Sequence, residues 1–338
     1  MDVPNGVPPV RGDTDLDPAG ASPAAGVVVG RFAPSPTGAL HLGNLRTALL
    51  AWLGARSAGG RCLLRVEDLD PVTSSVDHEG GQLADLAALG LHPDGPIVHQ
   101  SGRFDRYRAA IAELDARGLV YPCYCTRREI REAASAPNAA DLPDGAYPGT
   151  CRRLDAAGRA AHEAAGRRPA LRLRTDGERY TFDDLVVGVV EGGVDDVVLQ
   201  RNDGVPAYNL AVVVDDAVQG ITQVVRGDDL VPSTPRQLHL QRLLGLPTPR
   251  YAHVPLVLGP DGTRLAKRHG AVTRAAWLAA APGRTDAQLL SVLAASLDLC
   301  EHGATPALDD LVARFGWAHL PRTPWRLTPE DAAAGPSS

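Results

Sequence analysis

The chain has 338 residues, of which 44% are hydrophobic, so two or three globular domains with a sizeable core are expected. Its net charge of -6 speaks against a general attraction to nucleic acid, and no apolar run approaches the roughly 20 residues that cross a bilayer. The acidic, Pro- and Gly-rich start is unlike a targeting peptide, so we expect a cytoplasmic protein without a membrane partner. We also expect the protein to be a monomer. Residues 1–26 and 331–338 lack periodicity and are predicted to be disordered tails.

The first predicted elements are a strand, a rigid turn and a helix. Residues 27–32 have the pattern of a buried parallel strand, and the Ala-Pro-Ser-Pro-Thr-Gly run of residues 33–38 predicts a turn. Apolar positions within residues 45–53 share one helical face, and a second strand at 62–66 ends at Glu67. The predicted fold class is therefore α/β, with a doubly wound, Rossmann-like parallel sheet that opens onto ligands at its carboxyl edge.

The turn before the helix has the chemistry of a phosphate site. His41 can donate from its imidazole, Gly43 permits close approach, and Asn44 stands at a helix start where backbone N–H groups face a ligand. A purely structural turn is the alternative. The Pro-Ser-Pro-Thr-Gly run that precedes these residues favours a nucleotide site.

The charge is distributed unevenly along the chain. The segment from Arg103 to Tyr180 holds 15 arginines against 11 acidic residues, whereas the rest of the chain is strongly acidic. Any polyanion should therefore be bound mainly by this middle segment. Ordinary solvated helices would give the same charge balance and remain the alternative.

Five cysteines are an odd number, and their spacing argues against a disulfide framework. Cys123, Cys125 and Cys151 are close enough in sequence for three thiolates to converge on one ion, and zinc suits such soft ligands. The alternative is three reduced cysteines packed in a small domain. A metal here would be structural rather than catalytic.

Lys267 is the only lysine among 34 basic residues. A compact ammonium on a flexible stem can follow a phosphate that moves during a reaction, which a planar guanidinium does less well. Lys267 is therefore a catalytic candidate. Arginine-biased coding that spared one lysine at random is the alternative.

Two ordered motifs resemble the two signatures of the class I glutamyl-tRNA synthetases. The first is Arg31-Phe-Ala-Pro-Ser-Pro-Thr-Gly-Ala-Leu-His41-Leu-Gly-Asn44, and the second is Arg264-Leu-Ala-Lys267-Arg-His-Gly. Residues 207–216 and 225–237 also look like that family. The second motif departs from the usual pattern at Arg264 and Ala266, where the family has lysine and serine.

The resemblance implies activation of glutamate by ATP to glutamyl-adenylate, which is then transferred to a tRNA hydroxyl. The implied glutamate pocket has two arginines for the carboxylates, an acid for the ammonium and three further lining residues: Arg31, Arg226, Glu67, Ala33, Ser35 and Tyr208. The implied ATP site, with Mg²⁺ accompanying the nucleotide, consists of His41, Gly43, Asn44 and Lys267. His41 and Lys267 are the predicted catalytic residues.

For the cysteine cluster, the resemblance to short members of the family implies that Tyr147 supplies a fourth zinc ligand. Phenolate is an unusual zinc donor, so His162 or water remains an alternative. The implied set is Cys123, Cys125, Tyr147 and Cys151 around one structural Zn²⁺.

Only 66 residues follow Val272, which is too few for the helical anticodon-binding region of a discriminating synthetase. The chain therefore resembles the short branch that activates glutamate without tRNA and esterifies it to the queuosine base of tRNA(Asp). A minimal synthetase or other class I adenylate-forming ligase, or a non-catalytic RNA-binding relative, stays open. The predicted domains are a nucleotide-binding core in two halves at 27–104 and 188–258, an inserted acceptor-binding α+β domain with zinc at 105–187, and the second-signature loop with a helical C-terminal portion at 259–330.

Overall fold

The computed structural model describes residues 26–134, 146–263, 265 and 272–328, without the side chains of residues 131–134. The strands are β1 Val29–Phe32, β2 Arg61–Val66, β3 Val98–His99, β4 Val120–Cys123, β5 Ala170–Leu173, β6 Arg179–Asp184, β7 Gly188–Gly193, β8 Val198–Gln200, β9 Gln223–Gly227, β10 Arg250–Val254, β11 Val257–Leu258 and β12 Trp325–Arg326. The α-helices are α1 Leu42–Arg56, α2 Val76–Ala88, α3 Phe104–Ala116, α4 Arg127–Ala134, α5 Ala156–Ala164, α6 Tyr208–Val218, α7 Thr234–Leu243, α8 Arg274–Ala279, α9 Asp286–Ala295 and α10 Leu308–Arg314. Within the described residues, no helix combines the length and the apolar character needed to cross a membrane.

Seven strands form the main sheet, in the order β3-β2-β1-β9-β10-β6-β7. All neighbouring pairs are parallel except the edge hairpin of β6 and β7. The chain first moves outward from β1 to β3 and later returns to β9 on the other side of β1. This reversal confirms the predicted mostly parallel, Rossmann-like sheet and creates a crevice at its carboxyl edge between β1 and β9.

Helix α1 lies at the centre of the largest hydrophobic core. Its leucines are almost fully buried, and it packs against β1 and β9 on one side and α9 and α10 on the other. The helix begins at a capping box of His41 and Asn44 and ends before Gly59 and Gly60. Gly60 is required at its position because a Cβ there would lie 2.0 Å from the carbonyl oxygen of Val28.

The middle of the chain builds a second, smaller sheet of β4, β5 and β8, which is antiparallel. Helices α3 and α6 share a hydrophobic core with this sheet. Strands β6 and β7, which lie between β5 and β8 in the sequence, form a hairpin that belongs to the main sheet instead. The predicted domain boundary at residue 187 thus falls in the turn of a hairpin whose two strands both belong to the main sheet.

Candidate active site

A cavity of about 530 Å³ opens at the carboxyl edge of the main sheet. Every described residue of the predicted glutamate and ATP sites lines it, namely Arg31, Ala33, Ser35, His41, Gly43, Asn44, Glu67, Tyr208 and Arg226. They come from the ends of β1, β2 and β9 and from the starts of α1 and α6. Lys267, Arg264 and Ala266 lie outside the described residues.

Both ends of the segment that carries Lys267 are fixed beside this cavity. Leu265 lines the cavity, and its backbone N–H donates to the carbonyl of Val257 at 3.2 Å. At the other end, the carbonyl of Val272 accepts from the N–H of Leu42 at 3.0 Å, and Thr273 forms a β-bridge with His41. The described residues on either side of Lys267, Leu265 and Val272, therefore both lie beside the cavity at the beginning of α1.

The start of α1 sets the tautomer of His41. The backbone N–H of Asn44 donates to Nδ1 of His41 at 3.2 Å, and the Asn44 side-chain oxygen accepts from the His41 backbone N–H at 3.2 Å. Since Nδ1 is an acceptor, the neutral ring carries its proton on Nε2. The backbone N–H groups of Leu42 and Asn44 thus donate inside the protein, to the Val272 carbonyl and to the His41 ring.

Gly43 packs closely against the His41 ring. A Cβ at Gly43 would lie 3.0 Å from the His41 ring and 3.4 Å from Val257. A larger residue would require the ring to shift and would occupy space in the cavity that Gly43 lines. The absence of a side chain leaves room for a ligand at the helix start.

The Pro-rich turn that forms the cavity floor is held by the neighbouring strand and helix. The buried side-chain amide of Gln82 on α2 donates to the carbonyls of Ser35 and Gly38 at 3.1 and 2.7 Å. The backbone N–H of Glu67 donates to the carbonyl of Pro34 at 2.9 Å. The turn is therefore fixed before any ligand binds.

A buried ionic network lies behind the cavity wall. Arg31 and Arg65 both contact Asp216, at 3.3 and 2.7 Å, and Arg65 also contacts Glu67 at 3.4 Å. Burial would raise the pKa of Asp216, but the charges of Arg65 and Arg31 outweigh burial and hold it below its usual range. The carboxylate of Asp216 thus partly neutralises Arg31.

The pKa of Glu67 is shifted in the opposite direction from that of Asp216. Burial raises the pKa of Glu67 above its usual range, although Arg65 and Arg31 act against the rise. A cationic group placed beside Glu67 would stabilise its ionised form. Burial and the nearby carboxyl of Glu67 also raise the pKa of Tyr208, so this phenol is a neutral hydrogen-bonding group.

Arg226 is held by neutral acceptors. Its Nε, Nη1 and Nη2 atoms donate to His253, Gln237 and Thr234 at 3.0, 2.8 and 2.9 Å. Among the described residues, no carboxylate forms an ion pair with it. Arg226 therefore brings a less compensated positive charge to the cavity than Arg31 does.

A second cavity of about 1060 Å³ adjoins the first and shares Ser35, Thr37, Glu67 and Tyr208 with it. Its wall includes five arginines from the middle of the chain, Arg127, Arg167, Arg168, Arg172 and Arg201. On the same cavity, Arg201 pairs with Asp70 at 2.9 Å. Four of these five arginines belong to the basic segment from Arg103 to Tyr180, which thus faces the opening next to the candidate glutamate pocket.

The three clustered cysteines converge as predicted, with their sulfur atoms within 4.8 Å of one another. The phenolic oxygen of Tyr147 lies 3.3 Å from the sulfur of Cys123 and 3.5 Å from that of Cys125. His162 instead stacks on Tyr124, with ring centroids 4.9 Å apart. Among the described residues, Tyr147 is therefore the better placed fourth ligand.

Three thiols and one phenol at these separations form a donor set that could hold a single soft divalent cation. Burial raises the pKa of the Cys125 thiol to about 12. Burial also raises the pKa of Tyr147, so without a cation both groups keep their protons. A bound cation would displace protons from the ligands.

The sequence did not single out Arg65, Gln82, Asp184 or His253, although all four support cavity residues. Asp216 ends the family-like stretch 207–216, where the sequence assigns it no role. A usable signal existed, because Arg65 lies within an apolar strand and Asp216 follows an apolar helical run. A charged residue in such a position requires a buried partner.

The fold and the two signatures define the class of the protein. A model of the class I tRNA synthetases (E and Q), catalytic domain, matches residues 27–295, which is most of the chain. A crystal structure of a glutamate tRNA ligase from Elizabethkingia meningosepticum has a TM-score of 0.75 and 26% sequence identity, covering 90% of this chain and 68% of that one.

Two curated relatives define the branch. The chain is 59% identical over 299 residues to the glutamyl-Q tRNA(Asp) synthetase of Nocardia farcinica, covering 88% of this chain and 93% of the relative. It is 48% identical over 320 residues to the protein of the same name from Symbiobacterium thermophilum, covering 91% and 98%. The chain belongs to the glutamyl-Q tRNA(Asp) synthetase family within the class I synthetases.

Proposed function

We propose that the protein activates glutamate with ATP in the absence of tRNA and then transfers it to the queuosine base in the anticodon loop of tRNA(Asp). The observation that carries this proposal is the convergence of nine predicted residues on one cavity, beside the two ends of the segment that contains Lys267. The names of the closely similar relatives support the same acceptor.

Glutamate would bind in the inner part of the cavity. Its two carboxylates require cationic partners, which Arg31 and Arg226 supply, and its ammonium would face Glu67. The ammonium would restore the ionised state of Glu67 that burial opposes. Tyr208 offers a neutral hydroxyl, while Ala33 and Ser35 complete the wall. Charge-assisted hydrogen bonds of this kind give strong and specific binding.

ATP would occupy the part of the cavity at the start of α1, as its magnesium complex. The proton on Nε2 of His41 and the amide of Asn44 suit phosphate oxygens, and Gly43 leaves space for them. Lys267 would contact the leaving pyrophosphate. Attack of the glutamate α-carboxylate on the α-phosphorus then forms the adenylate and releases pyrophosphate.

The reaction requires no nucleophile from the protein. Its rate would come from holding the carboxylate in line with the phosphorus and from neutralising charge on the phosphates. Fixed donors serve this purpose because they need not reorganise during the reaction. The capped start of α1 and the Pro-rich turn that contains Ser35, which Gln82 and Glu67 hold in place, supply such rigidity.

The second cavity would receive the acceptor. It meets the glutamate pocket at Glu67 and Tyr208, and its five arginines suit the phosphates of an RNA loop. Cys123, Cys125, Tyr147 and Cys151 would hold one structural Zn²⁺ next to this wall, since the Arg172 guanidinium lies 3.7 Å above the Tyr147 ring. The ion would fix loops and would take no part in the chemistry.

The test combines two assays on the purified protein. Pyrophosphate exchange into ATP should depend on glutamate and proceed without tRNA. Radiolabelled glutamate should then be transferred to tRNA(Asp) that contains queuosine and not to matched tRNA(Asp) that lacks it. Exchange with another amino acid alone would overturn the pocket assignment, whereas charging of a queuosine-free tRNA(Glu) would identify a minimal synthetase instead.

A further inference from the structure

We infer that Asp184 and His253 are positioning residues that orient Arg226 toward the substrate. Neither residue lines the candidate cavity, and neither would touch glutamate. The inference rests on the proposed function, because it assumes that Arg226 meets a glutamate carboxylate. It concerns how the protein prepares that arginine before the substrate arrives.

The three side chains form a row across three adjacent strands. Arg226 on β9 and His253 on β10 are register partners, and Asp184 ends β6 on the other side of β10. The Asp184 carboxylate lies 2.6 Å from Nδ1 of His253, and Nε2 of the same ring lies 3.0 Å from Nε of Arg226. All three residues are at most 6% exposed, so water does not compete for these contacts.

The row determines which ring nitrogen of His253 accepts a hydrogen bond. Asp184 also accepts from the backbone N–H groups of Val186, Val187 and His253, which hold the carboxylate in place. Against this fixed carboxylate, Nδ1 must be the protonated nitrogen of a neutral ring, and Nε2 then presents a lone pair. Arg226 requires this lone pair, because a guanidinium can only donate.

Neutrality of the ring matters for the charge of Arg226. Gln237 and Thr234 are also neutral acceptors, so the guanidinium is fixed through all three nitrogen atoms without being paired to an acid. A carboxylate in place of His253 would orient Arg226 equally well but would neutralise it. The imidazole separates the charge of Asp184 from Arg226 and leaves the arginine able to attract a substrate carboxylate.

A matched pair of variants separates this role from simple packing. In H253Q the glutamine amide can place its oxygen near the former Nε2 and can still accept from Arg226, but it loses the bond to Asp184. In H253N the shorter amide can still reach Asp184 but leaves Nε of Arg226 without its acceptor. Glutamate-dependent pyrophosphate exchange should show a KM for glutamate within about threefold of wild type in H253Q and raised about tenfold or more in H253N. The KM for ATP should stay within about twofold in both.

Urea unfolding of both variants checks that each is folded under the assay conditions. An equal rise in the KM for glutamate, a larger rise in H253Q, or no rise in either would overturn the inference. Loss of glutamate-dependent exchange in the wild type would instead contradict the proposed function. If a variant does not fold, the wild-type ring is assigned by imidazole nitrogen NMR, with a neutral ring protonated at Nδ1 expected at pH 7. An imidazolium or the opposite tautomer would overturn the inference.

Discussion

The candidate cavity and the cysteine cluster hold their functional groups by different means. In the cavity, residues distant in sequence meet because parallel strands end at one edge, and buried ion pairs such as Arg65–Asp216 fix them. In the cluster, all four candidate ligands come from a single stretch of the chain, residues 123–151. The segment beside the cluster is held in part by partly exposed pairs such as Arg167–Glu129.

This difference indicates where each region obtains its rigidity. The cavity is formed by the fold itself, so its geometry should persist without a ligand. The cluster brings together three thiols and a phenol that a bound cation would link directly, so the cation should contribute to its local cohesion. Changes in the two regions should therefore affect different measurements.

The largest expected effect is on global stability. Asp216→Ala should lower the free energy of unfolding by about 3–5 kcal/mol, because the buried guanidiniums of Arg31 and Arg65 lose their shared carboxylate. The matched control is Glu191→Ala, which breaks the exposed pair with Arg179 and should change stability by less than about 1 kcal/mol. Urea unfolding measures both. A similar small loss in the two variants would contradict a cavity supported by buried ions.

A second effect separates the cluster from the cavity. Cys123→Ser should reduce metal affinity by at least about a hundredfold, since even residues behind metal ligands contribute 10–100-fold. We expect about one zinc per wild-type chain and almost none in the variant, with glutamate-dependent exchange largely retained and transfer to tRNA reduced. Cys300→Ser is the control, because this half-buried thiol contacts Ser291 away from the cluster. A metal-free wild type with full transfer activity would favour the packed-thiol alternative.

The sequence predicted the residues that line the candidate cavity better than the residues that support them. His41, Glu67 and Arg226 stand at the ends of predictable elements and within motifs, so their convergence follows from the parallel sheet. His253 and Asp184 lie in strands that meet only after the chain has folded, and nothing local in the sequence connects them.

The small sheet was harder to predict for a similar reason. The middle segment contributes β4, β5 and β8 to one sheet but β6 and β7 to another. The assignment of neighbouring strands to two different sheets depends on pairing between residues distant in sequence, which periodicity does not reveal. A boundary drawn at a single residue could not represent it.

A third prediction concerns the chemistry of the cavity. Lys267→Arg keeps the positive charge but replaces a mobile ammonium by a planar fork, so adenylate formation should slow by about tenfold or more, equivalent to roughly 1.4 kcal/mol of barrier. ATP binding should change little. Single-turnover adenylate formation and equilibrium binding of ATP measure the two quantities. Wild-type rates in this variant would exclude the proposed role of the lysine.

The smallest expected effect is a pH dependence at the edge of the cluster. Hydrogen bonds from the Thr126 backbone and from Arg167 lower the pKa of Glu129 from 4.5 to about 2. A carboxyl group whose pKa is lower in the folded state than in the unfolded state stabilises the folded state at pH values above the unfolded-state pKa. This contribution is lost as the pH falls from about 4.5 toward about 2. Because the side chain of Glu129 is 35% exposed, the effect should be small compared with that of the buried Asp216.

The comparison of wild type with Glu129→Gln at pH 6, 4 and 3 tests this point. The urea midpoints should differ slightly at pH 6, and the difference should shrink as the pH falls, because protonation makes the wild-type side chain resemble glutamine. Glu129 lies in the first turn of α4, shortly after Cys123 and Cys125, and its carboxylate accepts from the backbone N–H of Thr126 at the start of that helix. A difference that grows toward low pH would mean that the start of α4 is held by something other than this carboxylate, and the contrast with the buried ions of the cavity would then need another explanation.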